Sequence, residues 1–416
     1  MNVIPTGPSG DQFEHFEADP FTYLQELRQH GTTVGIDLGG MHTAVLYDLD
    51  DIQRVFADKL DHIGRAAIFT RLSHATGNGI LTNYDWETWH PRRRRIVKPL
   101  GARTVGQFHE RMIAIIEEHL DAWPVGEAFD LYEELKVITL SVVADLLFTE
   151  DLTASAIHVI EHAVHEIHEW AEADPTNADL TNEPESFVRA MAELNEYILG
   201  VISKRDLSDP GDDLLGMLLA ATQEDEPPLD LVGVRDEAIT LILAGHETVT
   251  ANVSFALDLV ARHRDKRTAE PHHIVDEALR LFPPVHMTAR SVVKDLPLST
   301  HTIPAGWEIL VPEYVLYRDS AYFERPDEFL PERWHEDSPL HLVQRAFFPF
   351  LTGPKFCVGK HFAVLEATEL VGRFLAKFDH EMLDPTGPEG RPFALTFAPD
   401  RPMPCRISSR RPSEKE

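Results

Sequence analysis

The chain of 416 residues carries 38 basic against 69 acidic side chains, a net charge of −31. So negative a surface argues against nucleic acid and anionic membrane as general partners. A content of 43% hydrophobic and 26% charged residues is ordinary for a soluble globular protein, and two cysteines, Cys357 and Cys405, are too few for a disulfide framework.

Pro20 to His30 reads as a short helix. The strand-like runs Thr33–Leu38 and Met41–Tyr47, joined at Gly39-Gly40, read as a hairpin. From about 85 to 265 the pattern is helical, with apolar spacing such as Met112, Ile115, Ile116 and Leu120. Within it, 173–186 is rich in Asp, Asn, Pro and Glu and is expected to be a mobile loop. The longest apolar run, Val137 to Phe148, is interrupted by Thr139, Ser141 and Asp145, too short and polar to cross a bilayer. With no basic or apolar leader region at the N-terminus, a cytoplasmic, soluble protein is expected. A proline-free run, Leu231 to Glu270, is apolar all round between Ile239 and Ala244, as a helix crossing the interior would be. After Leu281 come short β-like pieces, Ser291–Val293 and Glu308–Val311, then a Pro-rich stretch over 323–354, then a last strong helix from Val358 to Phe378. The expected architecture is mainly α with a smaller β-rich lobe. One domain over 1–416 has β-rich parts at about 30–60 and 285–312, a helical lobe at about 85–280, and a cysteine loop with the last helix at 347–378.

In Phe350-Leu-Thr-Gly-Pro-Lys355-Phe-Cys357-Val-Gly359 a lone cysteine precedes a helix. Backbone N–H groups and the helix dipole there favour the thiolate, the form that ligates metal. One cysteine cannot build a zinc or iron–sulfur site, but it can be the single axial ligand of a haem. A buried packing cysteine is the alternative for any cysteine taken alone. In Ala244-Gly245-His246-Glu247-Thr248 the glycine costs a helix interior about 1 kcal/mol relative to alanine. A planar ligand approaching the backbone would account for it, as would packing. Glu247 and Thr248 offer a carboxylate and a hydroxyl able to relay protons. Glu277 and Arg280 share a helical face at i,i+3, the spacing of an ordinary ion pair. His158, His162 and His165, with His168 nearby, lack a metalloprotease pattern and are read as a surface helix.

Taken in order, these segments resemble the cytochrome P-450 family over roughly 20 to 405, and specifically its bacterial, soluble haem-thiolate monooxygenases. The cysteine run is similar to the family's Phe-x-x-Gly-x-Arg/His-x-Cys-x-Gly-x-x-x-Ala, with Lys355 in place of Arg or His. Ala244 to Thr248 is similar to its Ala/Gly-Gly-x-Asp/Glu-Thr, with Val249 where Thr or Ser often follows. Glu277-Ala-Leu-Arg280 matches its Glu-x-x-Arg, and Arg333 would complete a structural Glu–Arg–Arg network. The resemblance implies a long central helix over a buried haem b, ligated by Cys357. Gly245, Phe350 and Gly359 would lie against the haem, and His90, Arg94, Arg290 and Lys355 would take its propionates. Trp89 with Arg93 is the alternative frame, set aside because Arg94-Arg-Ile-Val-x-Pro aligns downstream. Only 29 residues separate Thr248 from Glu277, so the connecting helices are expected to be trimmed.

The implied activity is insertion of one oxygen atom from O2 into a hydrophobic small molecule, in bacterial secondary metabolism, with protons relayed through Glu247 and Thr248. Phe69, Leu81, Thr240, Leu243, Ala244, Val285, Met287 and Phe397 would line the substrate pocket. Electrons would come from a ferredoxin or flavodoxin type donor and its reductase, docked on a basic patch of Arg92 to Arg95, Lys98, Lys355 and Lys360. A monomer is expected. A peroxide-driven peroxygenase, a haem-thiolate isomerase and a haem gas sensor or carrier are the competing readings. The acid–alcohol pair speaks against the first two, and the lack of a signalling segment against the last.

Overall fold

The computed structural model describes residue 4 and residues 6–149, 153–172, 182–220 and 229–410. In chain order, β1 (Thr6–Asp11), α1 (Phe13–Ala18) and α2 (Pro20–Leu27) lead into β2 (Thr33–Leu38) and β3 (Met41–Leu46). Then come α3 (Leu49–Ala57), β4 (Ile63–Gly64), α4 (Ile68–Thr76), α5 (Trp86–Val97), α6 (Ala102–Val105) and α7 (His109–Ala122). β5 (Ala128–Asp130), α8 (Leu131–Phe148), α9 (Ala154–Glu172), α10 (Glu185–Lys204) and α11 (Leu214–Ala220) precede the long α12 (Leu231–Arg262) and α13 (Pro271–Leu281). The remainder is β6 (Thr288–Val292), β7 (Leu296–Pro297), β8 (Thr302–Ile303), β9 (Glu308–Val311), α14 (Glu313–Leu316), α15 (Lys360–Lys377), β10 (Phe378–Met382) and β11 (Pro404–Ser409).

The hairpin forms as its glycines require. Gly39 and Gly40 both have positive φ, and β2 pairs antiparallel with β3 from Thr33 opposite Leu46 to Leu38 opposite Met41. β9 adds parallel to β3 and β6 antiparallel to β9, so strands from both ends of the chain share one sheet in the order β1-β2-β3-β9-β6-β4. A second sheet, β10-β11-β5, was not legible in the sequence, because its strands are short and distant in the chain. Of the expected loop over 173–186, residues 173–181 lie outside the described residues, and α10 already begins at Glu185.

α12 begins on the Asp230 cap, whose carboxylate accepts from the Gly233 N–H at 2.7 Å. It packs against α8, α13, α15, α10 and α4, which is why its middle is apolar all round. The apolar run of α8 is likewise buried from Ile138 to Phe148 except at Asp145. No helix among the described residues is long and apolar enough to cross a membrane. A single 3-10 turn, Arg264–Lys266, links α12 to α13, which accounts for the short Thr248–Glu277 spacing.

Glu277, Arg280 and Arg333 meet with fully buried side chains. Arg280 donates to both Glu277 oxygens, at 3.0 and 2.7 Å, and Arg333 approaches at 3.4 Å. The Leu330 N–H and the Trp334 indole also donate to that carboxylate, at 3.1 and 2.9 Å. The guanidiniums spend their other N–H groups on the carbonyls of Tyr317, Glu324, Arg325 and Glu328. Every charge in the network is therefore satisfied, the condition for burying it. Glu277→Gln leaves two buried cations without a counter-charge. Urea unfolding is expected to show a loss of about 3–5 kcal/mol; a loss below about 1 kcal/mol would mean that the network is not structural.

Candidate active site

A cavity of about 750 Å³ lies between α12, the segment before α15, α4–α5 and the β6–β9 edge. Cys357, Val358 and Gly359 line it, as do Ala244, Gly245 and Thr248 of α12. The accessible surface of Cys357 faces this interior space. The loop that carries it is over-determined. The Cys357 N–H donates to the Phe350 carbonyl at 2.8 Å. Gly353 has φ +71, and a Cβ there would lie 1.9 Å from the Phe56 carbonyl oxygen, so only glycine fits. Burial pushes the Cys357 thiol up, while the Gly359 and Lys360 N–H groups and the charges of Arg93 and Lys360 act to lower it. The start of α15 thus presents donors to the sulfur, as a thiolate ligand needs.

One end of the cavity is cationic. Arg93, Arg290 and Lys355 all line it. Burial brings Arg93 down to about 10, opposed by the charge of Cys357. Lys355 falls well below the usual lysine range, from burial first and then from Arg290, Arg93 and Arg65. The Arg290 Nε has no hydrogen-bond partner among the described residues. Such a cluster suits a dianionic ligand edge.

This geometry corrects the preferred frame on α5. Trp89, Arg93 and Ile96 are buried at i, i+4 and i+7, while His90 stacks on Trp86 at 4.8 Å and Arg94 is exposed. A slip of one residue turns a side chain by 100° on a helix, so His90 and Arg94 point away from the cavity. Arg93 donates to the Phe356 carbonyl at 2.6 Å and its guanidinium lies 4.3 Å from the Phe356 ring. Lys355 stays at the cationic end of the cavity and is already engaged by protein groups. Its ammonium donates to the Asn83 carbonyl at 2.6 Å and lies 3.6 Å from the Tyr84 ring, tying the cysteine loop to residues 80–84. Tyr84 also lines the cavity, and nothing in the sequence marks it.

On α12, Thr248 lines the cavity and donates to the Ala244 carbonyl at 2.8 Å. Glu247 does not line it. Its carboxylate is buried, accepting from Arg391 at 2.9 Å and lying 3.3 Å from His168 Nδ1. A Cβ on Gly245 would meet Val143 of α8 at 3.1 Å, so helix packing contributes to its choice alongside the cavity. His158, His162 and His165 are exposed as expected, whereas His168 turns inward. The i,i+4 pair His168–Glu172 was the available signal.

Phe69, Leu81, Thr240, Leu243, Ala244, Val285, Met287 and Phe350 line the cavity. Phe397 does not: its ring is packed among Phe21, Phe255, Phe282 and Tyr314, and Gly390 sits against its face. Residues 392–396 line the cavity in its place. The basic patch also shrinks. Arg93 and Lys355 face the cavity, Arg95 is buried, and Arg92 lies 3.7 Å from Glu237, leaving Arg94, Lys98 and Lys360 exposed.

The Cytochrome P450 family model matches residues 9–268 and 272–405. Cyclooctatin synthase of Streptomyces melanosporofaciens is 28% identical, covering 92% of this chain and 91% of its own. Pentalenene oxygenase of Streptomyces avermitilis is 25% identical, covering 95% and 94%. The solved structure of retinoic acid bound cyanobacterial CYP120A1 aligns at a TM-score of 0.82 with 23% identity, over 99% of this chain and all of that one. The chain belongs to the cytochrome P450 family and is a P450 monooxygenase with a haem-thiolate cofactor. The thiol, the flanking N–H donors and the cationic end fit that group. Arg93→Ala is expected to speed haem loss about tenfold, the equivalent of one hydrogen bond to a charged group at about 1.4 kcal/mol. Arg94→Ala should leave it unchanged, with transfer to apomyoglobin as the assay. The reverse ranking would restore the other frame.

Proposed function

We propose that Cys357 ligates the iron of a haem b and that this enzyme oxidises a hydrocarbon-rich small molecule. The haem, when bound, supplies reductive activation of O2 and transfer of one oxygen atom to a C–H bond. The observation that carries the reading is Cys357 and Thr248 on one cavity whose remaining walls are mainly apolar. Arg93 and Arg290 hold the propionates as charge-assisted donors. The N–H groups of Gly359 and Lys360 stabilise charge on the Cys357 sulfur.

Thr248 holds a proton at its hydroxyl, oriented by the Ala244 carbonyl, and Glu247 resupplies it from the neighbouring position. Phe69, Leu81, Leu243, Val285 and Met287 exclude water and orient the substrate by apolar contact. The relatives named for pentalenene oxidation and for bound retinoic acid support a substrate of that character. A ferredoxin or flavodoxin delivers electrons at Arg94, Lys98 and Lys360. These come from neighbouring elements, since α5 packs on the cysteine loop through Arg93 and Phe356.

Thr248→Ala removes the hydroxyl and leaves the fold. With a compound selected by its spin-state shift, product formed per reductant consumed should fall by about 10²-fold while binding stays within about a factor of two, as for a group of general acid–base function. Unchanged coupling would refute the role given to Thr248.

A further inference from the structure

Five threonines line the cavity: Thr43, Thr240, Thr248, Thr288 and Thr396. Three of them spend the hydroxyl on a nearby carbonyl, Thr43 on Met41 at 3.2 Å, Thr240 on Asp236 at 2.8 Å and Thr248 on Ala244 at 2.8 Å. Such local bonds are the usual resting place of a threonine hydroxyl. The Thr288 oxygen is sealed inside the wall. Thr396 differs from all of these. Among the described residues no protein group bonds its hydroxyl, and the oxygen is not sealed off, although the residue is only 6% exposed. The next residue, Phe397, turns its ring away into the aromatic packing around Phe255 and Phe282.

The backbone on both sides of Thr396 is fixed. The Leu395 N–H donates to Glu172 at 3.0 Å, and the Phe397 N–H to the Pro284 carbonyl at 2.8 Å. The Pro392 carbonyl accepts from His286 Nε2 at 2.8 Å, and the Arg391 N–H donates to the Ala398 carbonyl at 3.0 Å. A hydroxyl on so constrained a turn is already in place for a ligand, which keeps the ordering cost of binding small.

The charges around it select the kind of ligand. Glu172 lies 3.2 Å from His168 Nδ1 and 3.4 Å from Arg391 Nη1. The same two bases also serve Glu247, at 3.3 and 2.9 Å. Two carboxylates thus occupy the two bases of this corner. The other cations on the cavity, Arg93, Arg290 and Lys355, gather at the end that suits the haem edge. An anionic group beside Thr396 would meet carboxylates and no free cation, a like-charge arrangement that opposes binding. A neutral oxygen meets no such repulsion.

We infer that Thr396 is a specificity-determining residue: its hydroxyl binds a neutral oxygen, an alcohol or a ketone, carried by an otherwise hydrocarbon substrate. This rests on the reading of an apolar substrate held between Cys357 and Thr248. A hydroxyl both donates and accepts, so it serves alcohol and ketone alike. The bond fixes one end of the molecule while the apolar walls hold the rest, which ties the site of oxidation to the position of the existing oxygen.

Equilibrium dialysis of the holoenzyme against one carbon skeleton in four forms, decalin, decalol, decalone and decalin carboxylate, tests this. The wild type should bind decalol and decalone about tenfold more tightly than decalin, the weight of one hydrogen bond, and the carboxylate more weakly than either. Thr396→Val keeps the shape of the side chain and removes the hydroxyl. The advantage of the alcohol and the ketone should vanish, while decalin binding stays within about a factor of two. Thr396→Ser should keep the advantage, which a merely structural threonine would not produce. An alcohol bound no better than decalin, or an advantage that survives Thr396→Val, would overturn the role of Thr396 and leave the apolar-substrate reading standing. Tightest binding of the carboxylate, or binding of none of the four, would overturn that reading as well.

Discussion

The burial of the Glu277 carboxylate between two guanidiniums is the constraint on which the catalytic half of this molecule depends. One acid and two bases leave a surplus positive charge among fully buried side chains. It is tolerable only because the chain from Tyr317 to Glu328 turns its carbonyls inward. That requirement shapes an otherwise irregular, proline-rich stretch, and its continuation is the loop carrying Cys357. α13, which bears Glu277, packs against both α12 and α15. The same network therefore sets the relation between the helix that carries Thr248 and the helix whose start supports the thiol.

The cavity framed in this way has two kinds of wall. At one end Arg93, Arg290 and Lys355 gather positive charge, with carbonyls and aromatic faces as their present partners. Elsewhere the lining is mostly apolar. A flat, largely hydrophobic group with an anionic edge matches the first, and a water-poor substrate matches the second. Against the acidic net charge, the few exposed cations near the cysteine loop stand out to a charged partner.

Much of this was legible from residue order alone, where local pattern and tertiary role coincide. The β2–β3 hairpin follows from its glycine pair, and α12 from an all-round apolar core. The cysteine run, the Glu247–Thr248 pair and the Glu277 motif are recognisable because each needs particular residue types at fixed spacing. What could not be read depends on helix phase or on distant neighbours. Choosing between Arg93 and Arg94 means knowing which face of α5 turns inward, and four successive arginines hide that phase. Phe397 is apolar and near the right place, but the ring is taken up by its aromatic neighbours and the backbone around it lines the cavity instead. Lys355 lines the cationic end as its position implies, whereas its contacts with residues 80–84 carry no local signal. The partners of Glu247 come from α9 and from Arg391, separated from it by 75 or more residues in one direction and 144 in the other, and no local signal joins them.

Cys357 as the axial ligand is tested most directly by the reduced carbon monoxide difference spectrum of the purified protein, beside that of Cys357→His. Thiolate ligation predicts the red-shifted Soret band in the wild type and its replacement by an imidazole-type band in the variant. A wild-type band without the red shift, or a red shift that survives in Cys357→His, would contradict it.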